Sequence, residues 1–174
     1  TRLPGFAGEW EETTLGEIGA IVGGGTPSTS VPEYWNGSVS WVTPTDITAC
    51  KERFLSSTER QISEQGLDSS SAQLLPVGTI LLCTRATIGE ARIASVPVST
   101  NQGFQSIIIG ESASNQFVYY QILTLKSQML ARAIGSTFLE IGRQALASIE
   151  IALPPLSEQR AIAEVLSDMD EEIT

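Results

Sequence analysis

Arg85, Asn101, Gln102, Arg143 and Gln144 carry side chains suited to reading the edges of nucleic-acid bases. Arginine presents a planar pair of N–H donors, and Asn or Gln presents a donor beside an acceptor, so each can bond two atoms of one base. With Thr43, Thr45, Asp46 and Thr87 they fall at predicted strand or helix ends, where loops could present them. Thr, Ser and Lys are the residues that hold phosphates in place. Taken singly, each also fits an ordinary loop residue satisfied by its own backbone. Only the set points toward nucleic acid.

The chemistry that would make an enzyme is missing. There is no histidine, which removes the commonest general base, the usual zinc ligand and any Ser-His or Cys-His relay. The only lysines are Lys51 and Lys126, and neither stands in the acid-flanked pattern of a metal-dependent nuclease. The paired acids Glu11-Glu12 and Glu171-Glu172 lie in solvated segments. Leu153-Pro154-Pro155-Leu156 lacks the Asp or Asn that would hold a target amine in an amino-methyltransferase. Gly23-Gly24-Gly25-Thr26-Pro27 follows a predicted strand, yet has neither the Lys-Ser/Thr of a P-loop nor G-x-G-x-x-G spacing. It reads either as a plain turn or as a loop bringing N–H groups, Thr26 or Ser28 to a DNA backbone. Cys50 and Cys83 form no C-x-x-C pair and read as reduced, inert thiols.

Elements that could position these residues follow from periodicity. Thr14 caps a short turn through Ile18, with Glu17 at the capping-box position and helical character from Trp10. Ala20–Val22, Ser38–Val42, Thr79–Thr84, Ala91–Val96, Phe104–Ile109 and Ile149–Leu153 read as strands. Tyr34–Gly37 reads as a turn, Ser99–Gly103 as a polar loop, and 47–62 carries no clear period. A short helix is expected within Leu67–Leu75, a long one over Asn115–Ile134 closed by Gly135, and another over Arg143–Ser148. After Pro154-Pro155, Ser157 is expected to cap a helix in which Ile162, Leu166, Met169 and Ile173 step by three and four. That step begins a heptad seam, although a terminal helix docked on its own domain would show the same pattern. The fold class is α+β: a twisted, mostly antiparallel or mixed sheet with packed helices, then a C-terminal helix of coiled-coil type. Residues 1–153 form the body, and 154–174 form a proline hinge and the start of the helix.

At 174 residues and 41% hydrophobic content, the chain suffices for one core. No apolar run nears the roughly 20 residues a bilayer requires, and the first residues lack the apolar core of a secretory signal. A cytoplasmic location is expected. The net charge of −10 argues against a nucleic-acid partner, but it concentrates at the ends. Residues 18–157 carry 10 acids and 8 bases, so one face of the body can still be basic.

In order along the chain, several short motifs resemble type I restriction-modification specificity subunits. They are Trp10-Glu11-x-x-x-Leu15-Gly16-Glu17-Ile18, Gly24-Gly25-Thr26-Pro27-Ser28 and Trp41-Val42-x-Pro44-x-Asp46-Ile47. Next come Leu75-Pro76-x-Gly78-Thr79-Ile80-Leu81, Thr84-Arg85-Ala86-x-Ile88-Gly89, Asn101-Gln102-Gly103-Phe104 and Gly135-Ser136-Thr137. The set ends in Leu153-Pro154-Pro155-Leu156-Ser157-Glu158-Gln159-Arg160-x-Ile162-Ala163.

The resemblance implies a domain that reads one half of a split double-stranded DNA target and performs no catalysis. It implies that helices space the two halves and dock modification subunits, which flip an adenine and methylate it with S-adenosylmethionine. A restriction subunit joins the full complex. The cofactor belongs to the modification subunit, and this chain needs none. One such unit is present where the family carries two, so either the chain is half of a longer subunit or it pairs with itself through Ile162, Leu166, Met169 and Ile173. On this resemblance Arg85, Asn101 and Gln102 are expected at bases, and Lys51, Arg53, Ser136 and Arg143 at phosphates. Thr26, Ser28, Thr87 and Gln144 are expected nearby. Two alternatives remain: the reading domain of a fused restriction-methylation enzyme, and a protein-interaction module that docks a methyltransferase without touching DNA.

Overall fold

A computed structural model describes residues 2–173. The chain opens with β1 (Glu11–Thr14), a single helical turn α1 (Leu15–Ile18) and β2 (Gly19–Gly23). Thr14 and Glu17 form the expected capping box, but Glu11–Thr14 is strand rather than helix. A 3-10 turn at Pro32–Tyr34 leads into β3 (Trp35–Val42), followed by α2 (Pro44–Ala49), β4 (Phe54–Leu55), β5 (Arg60–Ile62) and α3 (Glu64–Asp68). The middle contains β6 (Ile80–Leu82), β7 (Ala91–Ala94), β8 (Val98–Thr100) and β9 (Gln105–Ile109). The last part is α4 (Asn115–Leu123), α5 (Lys126–Arg132), α6 (Arg143–Ala147), β10 (Glu150–Leu153) and α7 (Leu156–Ile173).

Three sheets result. The central one has five strands in the order β2-β9-β6-β7-β4, antiparallel except for the parallel β4–β7 edge. A three-stranded sheet, β5-β3-β8, pairs β3 antiparallel to β5 and parallel to β8. The third is the antiparallel pair β1–β10. The expected α+β class with mixed sheets is therefore observed.

The apolar run at 79–84 is explained by burial on both faces. Ile80 and Leu82 join a core under α4 to α7, while Leu81 and Cys83 join a second core with Val42, Ile47 and Phe104. Thus the central sheet stands between the helical layer and the loops that emerge beside β3 and β8.

Several expectations are corrected. The long helix over Asn115–Ile134 is two, because the Thr124 hydroxyl and N–H both turn back to the Gln121 carbonyl and end α4. The break lets both Ile122 and Leu125 reach the core. Gly135 caps neither helix. With φ +135° it turns a hairpin in which Ile134 bridges Glu140, and a side chain there would collide with the Phe138 carbonyl. The helix expected within Leu67–Leu75 lies earlier, because the Ser63 hydroxyl accepts the Gly66 N–H and starts it there. Leu75 is extended and bridges Val98. Ser157 is not the cap of α7, since the Pro155 carbonyl already accepts the N–H groups of Glu158 and Gln159. Of Tyr34–Gly37 only Tyr34 belongs to the 3-10 turn; Trp35–Gly37 are strand, interrupted by Asn36 at φ +58° and a bulge before Val39.

Candidate nucleic-acid interface

The glycine-rich segment is shaped by close approach. A side chain at Gly24 would strike the Asn101 carbonyl and the Thr100 hydroxyl, and one at Gly25 would strike Ser71 and the Ala72 amide. The loop therefore passes backbone to backbone between two other segments, and the Gly25 N–H donates to the Thr100 carbonyl at 3.0 Å. Two indoles hold it from below. Trp41 Nε1 donates to the Gly25 carbonyl at 3.0 Å and Trp35 Nε1 to the Ser28 carbonyl at 3.1 Å. Those rings meet edge to face, 5.0 Å between centroids, and the Arg60 guanidinium lies 4.0 Å over Trp35 and 5.0 Å over Trp41.

Fixed this way, the loop exposes Thr26 and Ser28. The Thr26 hydroxyl donates to the Gln102 side-chain carbonyl, which joins the glycine loop to the 101–103 turn. Asn101 shapes that turn, its Oδ1 accepting the Gly103 N–H at 2.9 Å. Gly103 lies against Arg85 and Pro44, and its carbonyl accepts the Thr84 N–H. The Thr84 carbonyl in turn accepts the Ile141 N–H, which brings the 134–140 hairpin alongside. Arg85 Nε pairs with Glu140 at 3.0 Å across a groove of about 920 Å³ that Thr87, Lys126, Leu130 and Phe138 also line. On the other flank the Arg143 guanidinium and Gln105 bracket Gly23.

Thr26, Ser28, Arg85, Asn101, Gln102 and Arg143 thus lie along one chain of contacts on the loop edge. Thr87 is on the groove wall, its hydroxyl buried and turned toward the Cys83 thiol. Burial pushes that thiol up to about 11. Ser136 is exposed in the hairpin and Gln144 is exposed on α6. Lys51 is exposed in the turn between α2 and β4, outside this chain of contacts. Arg53 is drawn elsewhere: its Nη1 donates to the Tyr120 hydroxyl at 2.9 Å, and that hydroxyl donates to Asp170. Burial and the bond to Asp170 push Tyr120 up to about 12.

Sequence reasoning missed Arg60, Trp35, Trp41 and Gln105. Their signal is register: Trp41 and Arg60 face each other only because β3 and β5 pair.

The opposite end has another character. Glu158 is fully buried and accepts Arg2 Nε at 2.7 Å and Nη2 at 2.5 Å. Gln159 is equally buried, accepting the Ser114 N–H at 2.8 Å and donating to the Pro154 carbonyl at 2.9 Å. Of the expected seam, Ile162 packs on the core and Leu166 is half-buried, whereas Met169 and Ile173 are 53% and 83% exposed. No helix among the described residues is long and apolar enough to cross a membrane.

The family model for the type I restriction modification DNA specificity domain matches residues 7–174. The chain is 39% identical over 165 residues to the type I restriction enzyme MjaIX specificity subunit of Methanocaldococcus jannaschii, covering 94% of this chain and 38% of that protein. It is 34% identical over 170 residues to the EcoR124I/EcoR124II specificity subunit of Escherichia coli, covering 94% and 41%. The fold matches the crystal structure of the HsdS subunit from Thermoanaerobacter tengcongensis with a TM-score of 0.74 at 21% identity, over 98% of this chain and 40% of that one. A chain from a study of complex assembly and conformational transition in the type I R-M system gives a TM-score of 0.77 at 22% identity, over 98% and 41%. The chain thus spans about two fifths of the length of the curated relatives it matches. By that family match and by relatives of this identity, it belongs to the type I restriction-modification DNA specificity domain family.

Proposed function

We propose that this domain reads one half of a split double-stranded DNA target for a type I restriction-modification complex. The carrying observation is the loop edge, where Arg85, Gln102, Thr26 and Arg143 converge although they are far apart in sequence. Arg85 and Gln102 are the base readers, with Asn101 holding the turn that aims Gln102. Thr26, Ser28 and Arg143 follow the backbone, joined by Ser136, Gln144 and Lys51 at the margin, while Thr87, with its hydroxyl buried, shapes the groove wall instead of touching DNA. Arg53, engaged with Tyr120, acts through α4 and α7.

Within the complex, residues 1–153 read and 154–174 begin the spacer. The chain catalyses nothing itself and needs no cofactor. Modification subunits dock on the helical side and bring S-adenosylmethionine, a restriction subunit completes the assembly, and the complex works in the cytoplasm. Self-pairing would use Met169 and Ile173, the exposed end of the seam.

Arg85 reaches DNA by exchanging partners. Its ion pair with Glu140 is 43% and 40% exposed, and such pairs contribute about 0–1 kcal/mol. A bidentate contact to a base supports about 1–3 kcal/mol of discrimination, so the exchange is favourable. Arg85→Ala in the assembled complex is expected to cut the ratio of specific to non-specific affinity by that amount. An unchanged ratio in a titration sinks the assignment.

A further inference from the structure

The glycine-loop edge holds one cation that the reading above leaves unassigned. Arg60 lies on β5, an edge strand of the three-stranded sheet, and is exposed. Its guanidinium carbon lies 4.0 Å from the Trp35 ring centroid and 5.0 Å from that of Trp41, in the corner formed by the two rings. Among the described residues no carboxylate pairs with it, in a protein with twice as many acids as bases.

We infer that Arg60 is a preorganised clamp for a DNA backbone phosphate, seated beside the glycine loop. Held against the two indoles and paired with no carboxylate among the described residues, the guanidinium keeps N–H donors available, which suits phosphate binding. The surroundings have the composition of a phosphate contact, a cation beside hydroxyls. The same two indoles hold the carbonyls of Gly25 and Ser28, so the loop bearing Thr26, Ser28 and Ser30 is registered to the guanidinium through shared rings. Holding an arginine in place beforehand removes the ordering cost that a flexible side chain incurs on binding.

This inference rests on the DNA-reading assignment, and the test separates the two. The full specificity subunit in complex with its modification subunit is titrated with a target duplex and a random-sequence duplex over a range of salt. R60Q is expected to weaken both duplexes by the same factor, on the order of tenfold at low salt, and to lower the salt slope by about one. R60K keeps the charge and is expected to keep the slope. Unchanged binding by R60Q overturns the clamp. Loss confined to the target duplex overturns it in favour of base reading, and equal loss of slope in R60K overturns it in favour of a structural role. A wild-type complex that binds neither duplex overturns the DNA reading itself, and the clamp with it.

Discussion

Polar groups at the root of α7 and polar groups at the loop edge are used in opposite ways. Glu158 and Gln159 are buried and each of their bonds is closed within the chain. Gln102, Arg85 and Arg143 are exposed, and where they bond within the chain they do so through contacts that solvent already weakens. A buried polar group must find its partner in the fold, since leaving it unmatched costs about 1–3 kcal/mol. An exposed one can exchange a partner for a ligand at little cost. The first region is therefore built to be constant and to set where α7 leaves the domain. The second is built on a rigid base of sheet and indoles but keeps its outer side chains available.

The largest test of this contrast is Gln159→Ala. It strands the Ser114 N–H and the Pro154 carbonyl at the junction of α4, β10 and α7. A loss of about 2–6 kcal/mol in denaturant unfolding is expected, from two unmatched groups of that size. A loss below about 0.5 kcal/mol, the range of ordinary surface changes, would erase the distinction between the two ends. Gln102→Ala should do the reverse. Stability should move by no more than about 0.5 kcal/mol, because its bond to Thr26 is exposed. Target affinity should fall. Equal stability losses in the two variants would show that the loop edge is structural.

The smallest effect concerns the floor under Arg85. Cys83 is buried, with its thiol pushed up to about 11 from an ordinary 9.0, mainly by burial. The folded state therefore favours the protonated thiol. That contribution is intact below pH 9 and is lost as the pH climbs toward 11. At pH 8 an alkylating reagent should modify half-buried Cys50 and leave Cys83 until the protein unfolds. Matched rates at the two thiols would mean that the floor of the loop edge opens freely.

Much of the scaffold was legible because its signals are local. The capping box at Thr14 and Glu17, the doubly buried run around Leu81 and the helix after Pro155 each depend on residues within a few positions. What was not legible depends on pairing at a distance. Glu11–Thr14 becomes a strand only because Glu150–Leu153 lies beside it. The α4–α5 break is invisible to periodicity because apolar residues continue through it, and only the core geometry decides that Leu125 must turn inward. The site shows the same division. Arg85, Gln102 and Thr26 could be chosen by residue type and predicted loop position, whereas Arg60 gains its place from the β3–β5 register. Arg53 lost the expected place because Tyr120 and Asp170 draw it to the helical side.

The central claim is that the loop edge reads DNA sequence, and selection from a random duplex pool tests it most directly. The chain in its full subunit, with the modification subunit and S-adenosylmethionine, should enrich a short motif containing adenine at low salt. The Arg85→Ala form should enrich that motif less. Absence of enrichment, while the two proteins still co-purify, would contradict the account and leave a module that docks a methyltransferase without reading DNA.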